Sequence, residues 1–194
     1  MVTGPKILAF AGSARKDSFN KKLVRIAAQG AKGAGALVTE LDFGDLSLPL
    51  FDQDLEAEGG LPSGVIRLKE LMRENDGFLI ASPEYNSSIS PMLKNAIDWA
   101  SRSSGPDDSP MSAFKGKAAA LISTSPGGLG GLRGLVTVRS ILINIGVLVL
   151  PDQVTVRSAH DAFADDGSLK DADRHESIER LGSELAALLA KLKS

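Results

Sequence analysis

The hydrophobic positions of this chain follow two periods that alternate along the sequence. Short apolar runs are typical of strands buried on both faces, and the longer segments between them carry apolar residues every three or four positions, as on one side of a helix. The pattern predicts five strands and five helices in strict alternation. The predicted strands cover residues 6–11, 37–41, 78–81, 117–123 and 147–150.

The helical segments carry recognisable start signals. Ser18 is the predicted N-cap of a helix from Phe19 to about Gln29, and Ser90 precedes Pro91 at the start of another helix. Residues 44–60, rich in Gly, Asp and Glu, are predicted to form a long surface loop. A third helix is predicted to start at Pro62. A fourth carries Leu135, Val138, Leu142 and Ile145. The last follows a predicted capping box at 168–171 and carries the apolar stripe Ile178, Leu181, Leu185, Leu188 and Leu192.

This alternation predicts a doubly wound α/β fold. We expect a flavodoxin-like five-stranded parallel sheet in the order 2-1-3-4-5, with helices on both faces, in a single domain over residues 1–194. Ligands of such sheets bind beyond the carboxyl ends of the strands, where the strand order reverses. The loops after the first, third and fourth strands are therefore the expected site.

Composition removes several classes of function. The 194 residues include 22 Lys and Arg against 24 Asp and Glu, with a formal charge of −2 and no basic block, so no nucleic-acid partner is indicated. The absence of cysteine excludes disulfides, thiolate nucleophiles and Cys-ligated metals. The longest uncharged stretch, residues 118–132, is too short and too rich in glycine to cross a membrane. The start of the chain lacks a secretory pattern, so we expect a cytoplasmic protein.

The loop after the first strand has the chemistry of a phosphate site. Residues 12–20 combine serine hydroxyls, the guanidinium of Arg15 and the amides at a helix N-terminus. A dinucleotide fingerprint and a Gly-Lys-Ser/Thr loop are both absent. The residues indicate a phosphomonoester pocket. In the alternative interpretation, Ser13 and Ser18 only cap the helix and Arg15 is solvated.

Two further loops could border a ring. Residues 82–88 place a proline, an aromatic side chain and an amide at the end of the third strand, where they can form a rigid platform, although the segment could also be a loop with one surface tyrosine. The glycine-rich segment 123–131 would let backbone amides approach a ring edge, but such turns also arise for local reasons. The other motifs fail: His175 lacks the second histidine of a zinc helix, and Phe10-Ala11-Gly12 lacks the acids of a phospho-accepting receiver domain.

With these motifs the chain resembles the NAD(P)H-dependent FMN reductase family, a flavodoxin-like group that includes bacterial chromate, quinone and azo-dye reductases. The family's opening motif, Gly-Ser-x-Arg-x-x-Ser-x-Asn, is matched at residues 12–20. Its central motif, Pro-Glu-Tyr-Asn followed by Leu-Lys-Asn-Ala-Ile-Asp-Trp, is matched at 83–86 and 93–99. The resemblance extends over nearly the whole chain.

The resemblance implies FMN as the cofactor and assigns residues to it. Ser13, Arg15, Ser18, Phe19 and Asn20 would hold the phosphate. Residues nearer the flavin ring would come from the other two loops. These are Pro83, Glu84, Tyr85 and Asn86 on one border, and Ser123, Ser125, Gly127 and Gly128 near the other polar edge.

A chain of this length with one nucleotide site has no second domain for NAD(P)H, which implies a mechanism, and the resemblance implies an assembly. NADPH or NADH would stack on the exposed flavin face, pass a hydride to it and leave before a quinone, azo dye, chromate or free flavin takes its place, which gives ping-pong kinetics without a catalytic side chain. The helices at 91–101 and 132–145 resemble the family's dimer surfaces, so a homodimer or homotetramer is expected. Two alternatives remain open: a flavodoxin-type electron carrier and an FMN-binding regulator without turnover.

Overall fold

The computed structural model describes residues 4–193. Met1 to Thr3 and Ser194, which the single-domain prediction includes, lie outside the described residues. The strands are β1 (Lys6–Ala11), β2 (Leu37–Leu41), β3 (Gly77–Ala81), β4 (Glu84–Tyr85), β5 (Ser88–Ile89), β6 (Ala118–Thr124) and β7 (Leu148–Val156). The helices are α1 (Phe19–Gly33), α2 (Gln53–Gly59), α3 (Ser63–Glu74), α4 (Pro91–Ala100), α5 (Leu132–Asn144), α6 (Ala159–Ala162) and α7 (Ala172–Leu192).

The predicted doubly wound sheet is confirmed. Five parallel strands pair in the order β2-β1-β3-β6-β7, which is 2-1-3-4-5 when the short β4–β5 hairpin is left out. Successive side chains of each central strand point to opposite faces. One face packs against α1 and α7, and the other packs against α3, α4 and α5. Two apolar cores therefore hold the carboxyl ends of β1, β3 and β6 at one edge.

The loop predicted at 44–60 is wrong in part. It contains a short 3₁₀ turn (Phe43–Asp45) and helix α2, whose N-cap Asp52 accepts a hydrogen bond from Asp54 N at 2.8 Å. None of the residues of α2 is buried, so this helix has no apolar face that hydrophobic periodicity could detect. Polar composition alone was therefore misleading.

Other boundaries also differ from the prediction. The strand predicted at 147–150 continues to Val156, because β7 accommodates Pro151 in an irregularity opposite Ala119 and Leu121 and then pairs again with β6. The predicted capping box at 168–171 is wrong, since Asp171 itself caps α7 through a 3.0 Å bond from Arg174 N. The β4–β5 hairpin and α6 carry too few residues to show a period. Within residues 4–193, no helix combines the length and apolar character needed to span a bilayer.

Candidate functional site

A cleft of about 340 Å³ lies where β1, β3 and β6 end. A volume of this size suits a small organic ligand. Its walls come from the loops that follow these three strands, together with His160 of α6. Of the residues predicted for the site, the cleft is lined by Ser13, Arg15, Ser18, Phe19, Asn20, Pro83, Glu84, Tyr85 and Ser125.

The loop between β1 and α1 presents unused hydrogen-bond donors to this cleft. Ser18 has extended backbone angles at the N-cap of α1, yet its side chain makes no capping hydrogen bond. The Ser13 hydroxyl accepts a 3.3 Å bond from Arg15 N, which leaves its own proton free to donate. Among the described residues, the exposed Arg15 guanidinium has no carboxylate partner. Hydroxyls, a cation and a helix N-terminus together form a donor set that suits a phosphate.

Asn20 ties this loop to the neighbouring strand end. Its Nδ2 donates to Thr124 O at 2.9 Å, and its Oδ1 accepts from Thr124 N at 3.1 Å. The Thr124 hydroxyl continues the chain of bonds by donating to Val156 O at 2.8 Å. Asn20 therefore fixes the distance between the loop that joins β1 and α1 (residues 12–18, called here the phosphate-type loop) and the loop after β6.

The opposite wall is a tight β-hairpin. Glu84 pairs with Ile89 and Tyr85 with Ser88, and the two residues between them, Asn86 and Ser87, have positive φ angles of 51° and 67°. A two-residue turn with both φ angles positive has the twist that joins paired strands, and asparagine tolerates this region better than most residues. Tyr85, half-exposed, stands at the mouth of the cleft.

Glu84 anchors this hairpin to α5. Its Oε1 lies 2.9 Å from Arg133 Nη2, and its Oε2 accepts from Gly134 N at 3.1 Å. The side chain is only 9% exposed, and a carboxylate at a helix N-terminus is stabilised by the free amides there. The carboxylate of Glu84 is therefore occupied within the protein, although the residue also lines the cleft.

Gly12 brings the two walls close together. A Cβ atom on Gly12 would lie 2.9 Å from Leu93 Cβ and 3.1 Å from Pro83 Cδ, so any side chain here would push α4 and the hairpin away. Ser90, the N-cap of α4, donates its hydroxyl proton to Gly12 O and accepts from Leu93 N at 3.2 Å. The start of α4 is thus joined to the phosphate-type loop.

The profile of the NADPH-dependent FMN reductase family matches residues 5–161. The chain belongs to this family. It is 34% identical to a probable NADPH:quinone oxidoreductase of Oryza sativa subsp. japonica over 98% of this chain and 93% of that protein, and 37% identical to an NAD(P)H-dependent FMN reductase of Pseudomonas aeruginosa over 90% of each. The solved structure of a flavoenzyme NAD(P)H:(acceptor) oxidoreductase from Paracoccus denitrificans matches with a TM-score of 0.79 and 32% identity, over 96% of this chain and 98% of that one.

The geometry fits the FMN that the family name implies. The hydroxyls of Ser13 and Ser18 and the guanidinium of Arg15 come from one wall of the cleft, and Pro83, Tyr85 and Pro126 offer flat surfaces on the other walls. The arrangement matches an anionic tail joined to a planar ring. The family assignment predicted from the sequence motifs is confirmed.

Four of the residues predicted for the flavin site are not among those that line the cleft. Asn86 occupies the hairpin turn. Ser123 is fully buried and donates its hydroxyl to Ser82 O at 2.6 Å. Gly127 and Gly128 lie on the exposed tip of the loop after β6, and Gly128 lines a neighbouring cavity.

The cleft also has walls that the motifs did not indicate. Phe19 stacks on Phe163 at 5.6 Å, meets the edge of His160 at 5.4 Å, and has Lys22 Nζ 5.9 Å from its ring centre. No pattern in the sequence marks His160, because α6 has four residues and follows a strand that was predicted to end earlier. Lys22 and His160 lie outside the predicted loops, and Asp17, Thr124 and Pro126 lie within them but were not assigned to the site.

Proposed function

We propose that this FMN reductase family member passes reducing equivalents from NADPH or NADH to quinones through bound FMN. The observation that carries the proposal is one cleft with two walls of different chemistry. One wall has hydroxyl and guanidinium donors that have no acceptor among the described residues, and the other wall is a rigid hairpin. The family profile supports the cofactor, and relatives named quinone oxidoreductases support the acceptor. Azo dyes, chromate and free flavin are further acceptors to be tested.

Binding of the phosphate belongs to residues 13–20. Arg15 supplies a charge-assisted pair of donors, and the hydroxyls of Ser13 and Ser18 add two more. The amide of Phe19, at the start of α1, has the partial positive charge of a helix N-terminus. Asn20 acts differently, because both ends of its amide already bond Thr124, and it positions the loop.

Orientation of the ring belongs to the hairpin and to the loop after β6. The backbone of residues 83–86 borders the ring, and Glu84 holds that backbone in place through α5. On the opposite side, Ser125 offers a hydroxyl to the cleft. Gly127 and Gly128 lie beyond it at the exposed loop tip, where the backbone is open to a ligand. Ser123 supports this side indirectly, since its hydroxyl fixes the carbonyl of Ser82.

The redox chemistry, uptake and delivery of a hydride, is supplied by FMN when it is bound. The chain's own residues position the reactants, and we assign no side chain as acid or base. The half-exposed Tyr85 leaves the mouth open on the hairpin side, where nicotinamide and acceptor would bind in turn.

We also propose a homodimer built on α5. Leu132, Val136 and Ile143 share one side of this helix and are 39%, 62% and 56% exposed. The outer side of α4, the other surface suggested by the resemblance, carries Lys94 and Asp98 and no large exposed hydrophobic residue. Sedimentation of Val136→Asp tests this proposal: the proposal expects monomers, and an unchanged oligomer would contradict it.

The function is tested on the purified protein in two steps. Mass spectrometry of the released flavin is expected to find FMN, and FAD or no flavin would overturn the proposal. Steady-state oxidation of NADPH and NADH is then followed with 1,4-benzoquinone. The proposal expects turnover with parallel double-reciprocal lines. Flavin without turnover would point to the carrier or the regulator, and intersecting lines would contradict the shared site.

A further inference from the structure

A second cavity lies beside the cleft. It measures about 540 Å³ and is larger than the cleft itself. Three basic side chains line it: Arg157 after β7, and Lys170 and Arg174 around the start of α7. Its apolar lining includes Val156 and Leu169, which are both buried. The cavity therefore combines positive charge with an apolar surface.

The two cavities share their separating walls. Ser125 and Pro126 line the cleft, whereas Gly128 of the same loop lines the second cavity. On α6, His160 faces the cleft and its neighbour Asp161 faces the second cavity. An added Cβ on Gly128 would meet no atom within 4 Å, so the loop tip between the cavities is open. A ligand bound at the mouth of the cleft can thus extend over this tip into the second cavity.

The charges of these three basic side chains are not balanced by partners within residues 4–193. Within the part of the chain that the structure describes, the side chains of Arg157, Lys170 and Arg174 have no hydrogen bond or ion pair. Several other surface cations are paired, as Arg102 is with Glu56 and Lys94 with Asp98.

The acids of the cavity do not neutralise these cations. Asp171 Oδ1 is occupied by the capping bond from Arg174 N, which ties that carboxylate to the helix start. Asp161 is exposed, and in the described residues it forms no ion pair. A site with three free cations and two acids favours a ligand that carries an anion together with hydroxyl or amino donors.

We propose that this cavity binds the 2′-phosphoadenosine end of NADPH and sets a preference for NADPH over NADH. The inference rests on the proposed function, because it assumes that a nicotinamide nucleotide is the electron donor. The 2′-phosphate lies among Arg157, Lys170 and Arg174, and the adenine lies against Val156 and Leu169. Asp161 accepts a hydrogen bond from a ribose hydroxyl or from the adenine amino group. The rest of the dinucleotide crosses the open loop tip at Gly128 toward the cleft.

Direct binding tests this site without turnover. Adenosine 2′,5′-bisphosphate and adenosine 5′-monophosphate are titrated by calorimetry into the FMN-loaded protein and into Arg157→Ala and Arg174→Ala. We expect the bisphosphate to bind more tightly than the monophosphate, and each variant to weaken the bisphosphate about 10-fold or more while changing the monophosphate little. Arg180→Ala is the matched control, because Arg180 lies on α7, is exposed and pairs with Glu184.

Kinetics then separate this inference from the proposed function. The KM for NADPH should rise about 10-fold in the two variants, with the KM for NADH and for quinone within about twofold of the parent value. Equal binding of the two nucleotides would overturn the inference. Equal weakening in Arg180→Ala would also overturn it, because the effect would then come from overall charge. If the parent protein oxidises NADPH in either case, the proposed function stands without this site.

Discussion

The polar groups at the two edges of the central sheet differ in their hydrogen-bond partners. At the amino edge, Asp76 Oδ2 accepts from Lys6 N at 2.7 Å and lies 2.5 Å from Lys193 Nζ, and Lys117 donates to the carbonyls of Arg73 and Asn75. At the carboxyl edge, Arg15 and Ser18 line the cleft, and their side chains have no comparable partners among the residues that the structure describes. Hydrogen bonds completed within the chain stabilise the fold, whereas donors left open in a cleft are available to a ligand.

Polar groups at the end of α4 that lies away from the cleft are also paired with each other. Lys69 and Asp108 form a 2.6 Å ion pair with side chains only 2% and 8% exposed, and Lys69 also donates to Arg102 O. Burial alone would raise the pKa of Asp108, but hydrogen bonds from Lys69, Ser104 and Ser112 hold it well below its usual range. Lys69, Asp108 and their hydrogen-bond partners, called here the clamp, hold the loop after α4 in place.

Breaking that clamp should have the largest effect on stability. Asp108→Asn leaves the Lys69 ammonium buried without its counter-charge, and we expect the free energy of unfolding to fall by about 3–5 kcal/mol. Urea denaturation measures the change. Asp107→Asn is the control, since its exposed neighbouring carboxylate should contribute less than about 0.5 kcal/mol. A similar loss in both variants would show that the ion pair between Lys69 and Asp108 contributes no specific stability.

Arg15→Ala should have the opposite signature. Because the guanidinium has no partner among residues 4–193, the apoprotein should keep its stability within about 0.5 kcal/mol. FMN should bind about 10- to 150-fold more weakly, which corresponds to about 1.5–3 kcal/mol for a charged hydrogen bond. Fluorescence titration measures this, with riboflavin as the ligand that lacks the phosphate. If riboflavin weakens as much as FMN does, the role of Arg15 is structural.

Glu84 lies at the carboxyl edge but, unlike that of Arg15, its side chain has partners within the fold. Glu84→Gln removes the charge that faces Arg133 and the start of α5, and we expect a loss of about 1–2 kcal/mol in urea unfolding. The apoprotein carries this loss, since the carboxylate is occupied within the fold. Glu58→Gln, on the exposed α2, serves as control. A variant that keeps its stability but loses FMN would place the Glu84 carboxylate at the ligand instead.

The smallest expected effect is the loss of stability at low pH caused by protonation of Asp76 at the amino edge. Burial raises the pKa of Asp76, but hydrogen bonds from Lys193 and from Lys6 N bring it below the ordinary value of 3.8. A lowered folded-state pKa gives stability that is complete above the unfolded value and is lost as pH falls through the folded value. Apoprotein stability should therefore be insensitive to Asp76 from pH 7 to about 4 and decrease below that.

Lys193→Ala isolates this contribution. The ion pair is partly exposed, so the variant should lose about 0.2–1 kcal/mol at pH 7. The difference from the parent protein should shrink as Asp76 becomes protonated. Unfolding curves recorded across this pH range would contradict the assignment if the difference grew with acid.

The sequence predicted correctly those elements in which apolar residues are buried over many consecutive positions. The apolar runs of β1, β3 and β6 are buried throughout or nearly so, and this is why the sheet order could be predicted. The prediction failed for α2 and α6, because an exposed helix and a four-residue helix leave no apolar period. Length and patterning are the limits of that signal.

The site followed the same rule. Motif residues such as Ser13, Arg15 and Tyr85 could be named because a short contiguous loop places them together. The roles of Asn20 and Glu84 could not, because their partners Thr124 and Gly134 lie 104 and 50 positions away in the sequence. His160 and the second cavity depend on where α6 packs, and local pattern contains no information on that.

The bond between Asn20 and Thr124 also bears on the order of events during synthesis. It spans 104 residues, and the strand that supplies Thr124 is the fourth of the five in the sheet. A growing chain already contains the phosphate-type loop and the hairpin when β6 is still inside the ribosome, but the walls of the cleft are not yet held together. Cofactor capture is therefore a late step of biogenesis, and it favours chains whose sheet is nearly complete.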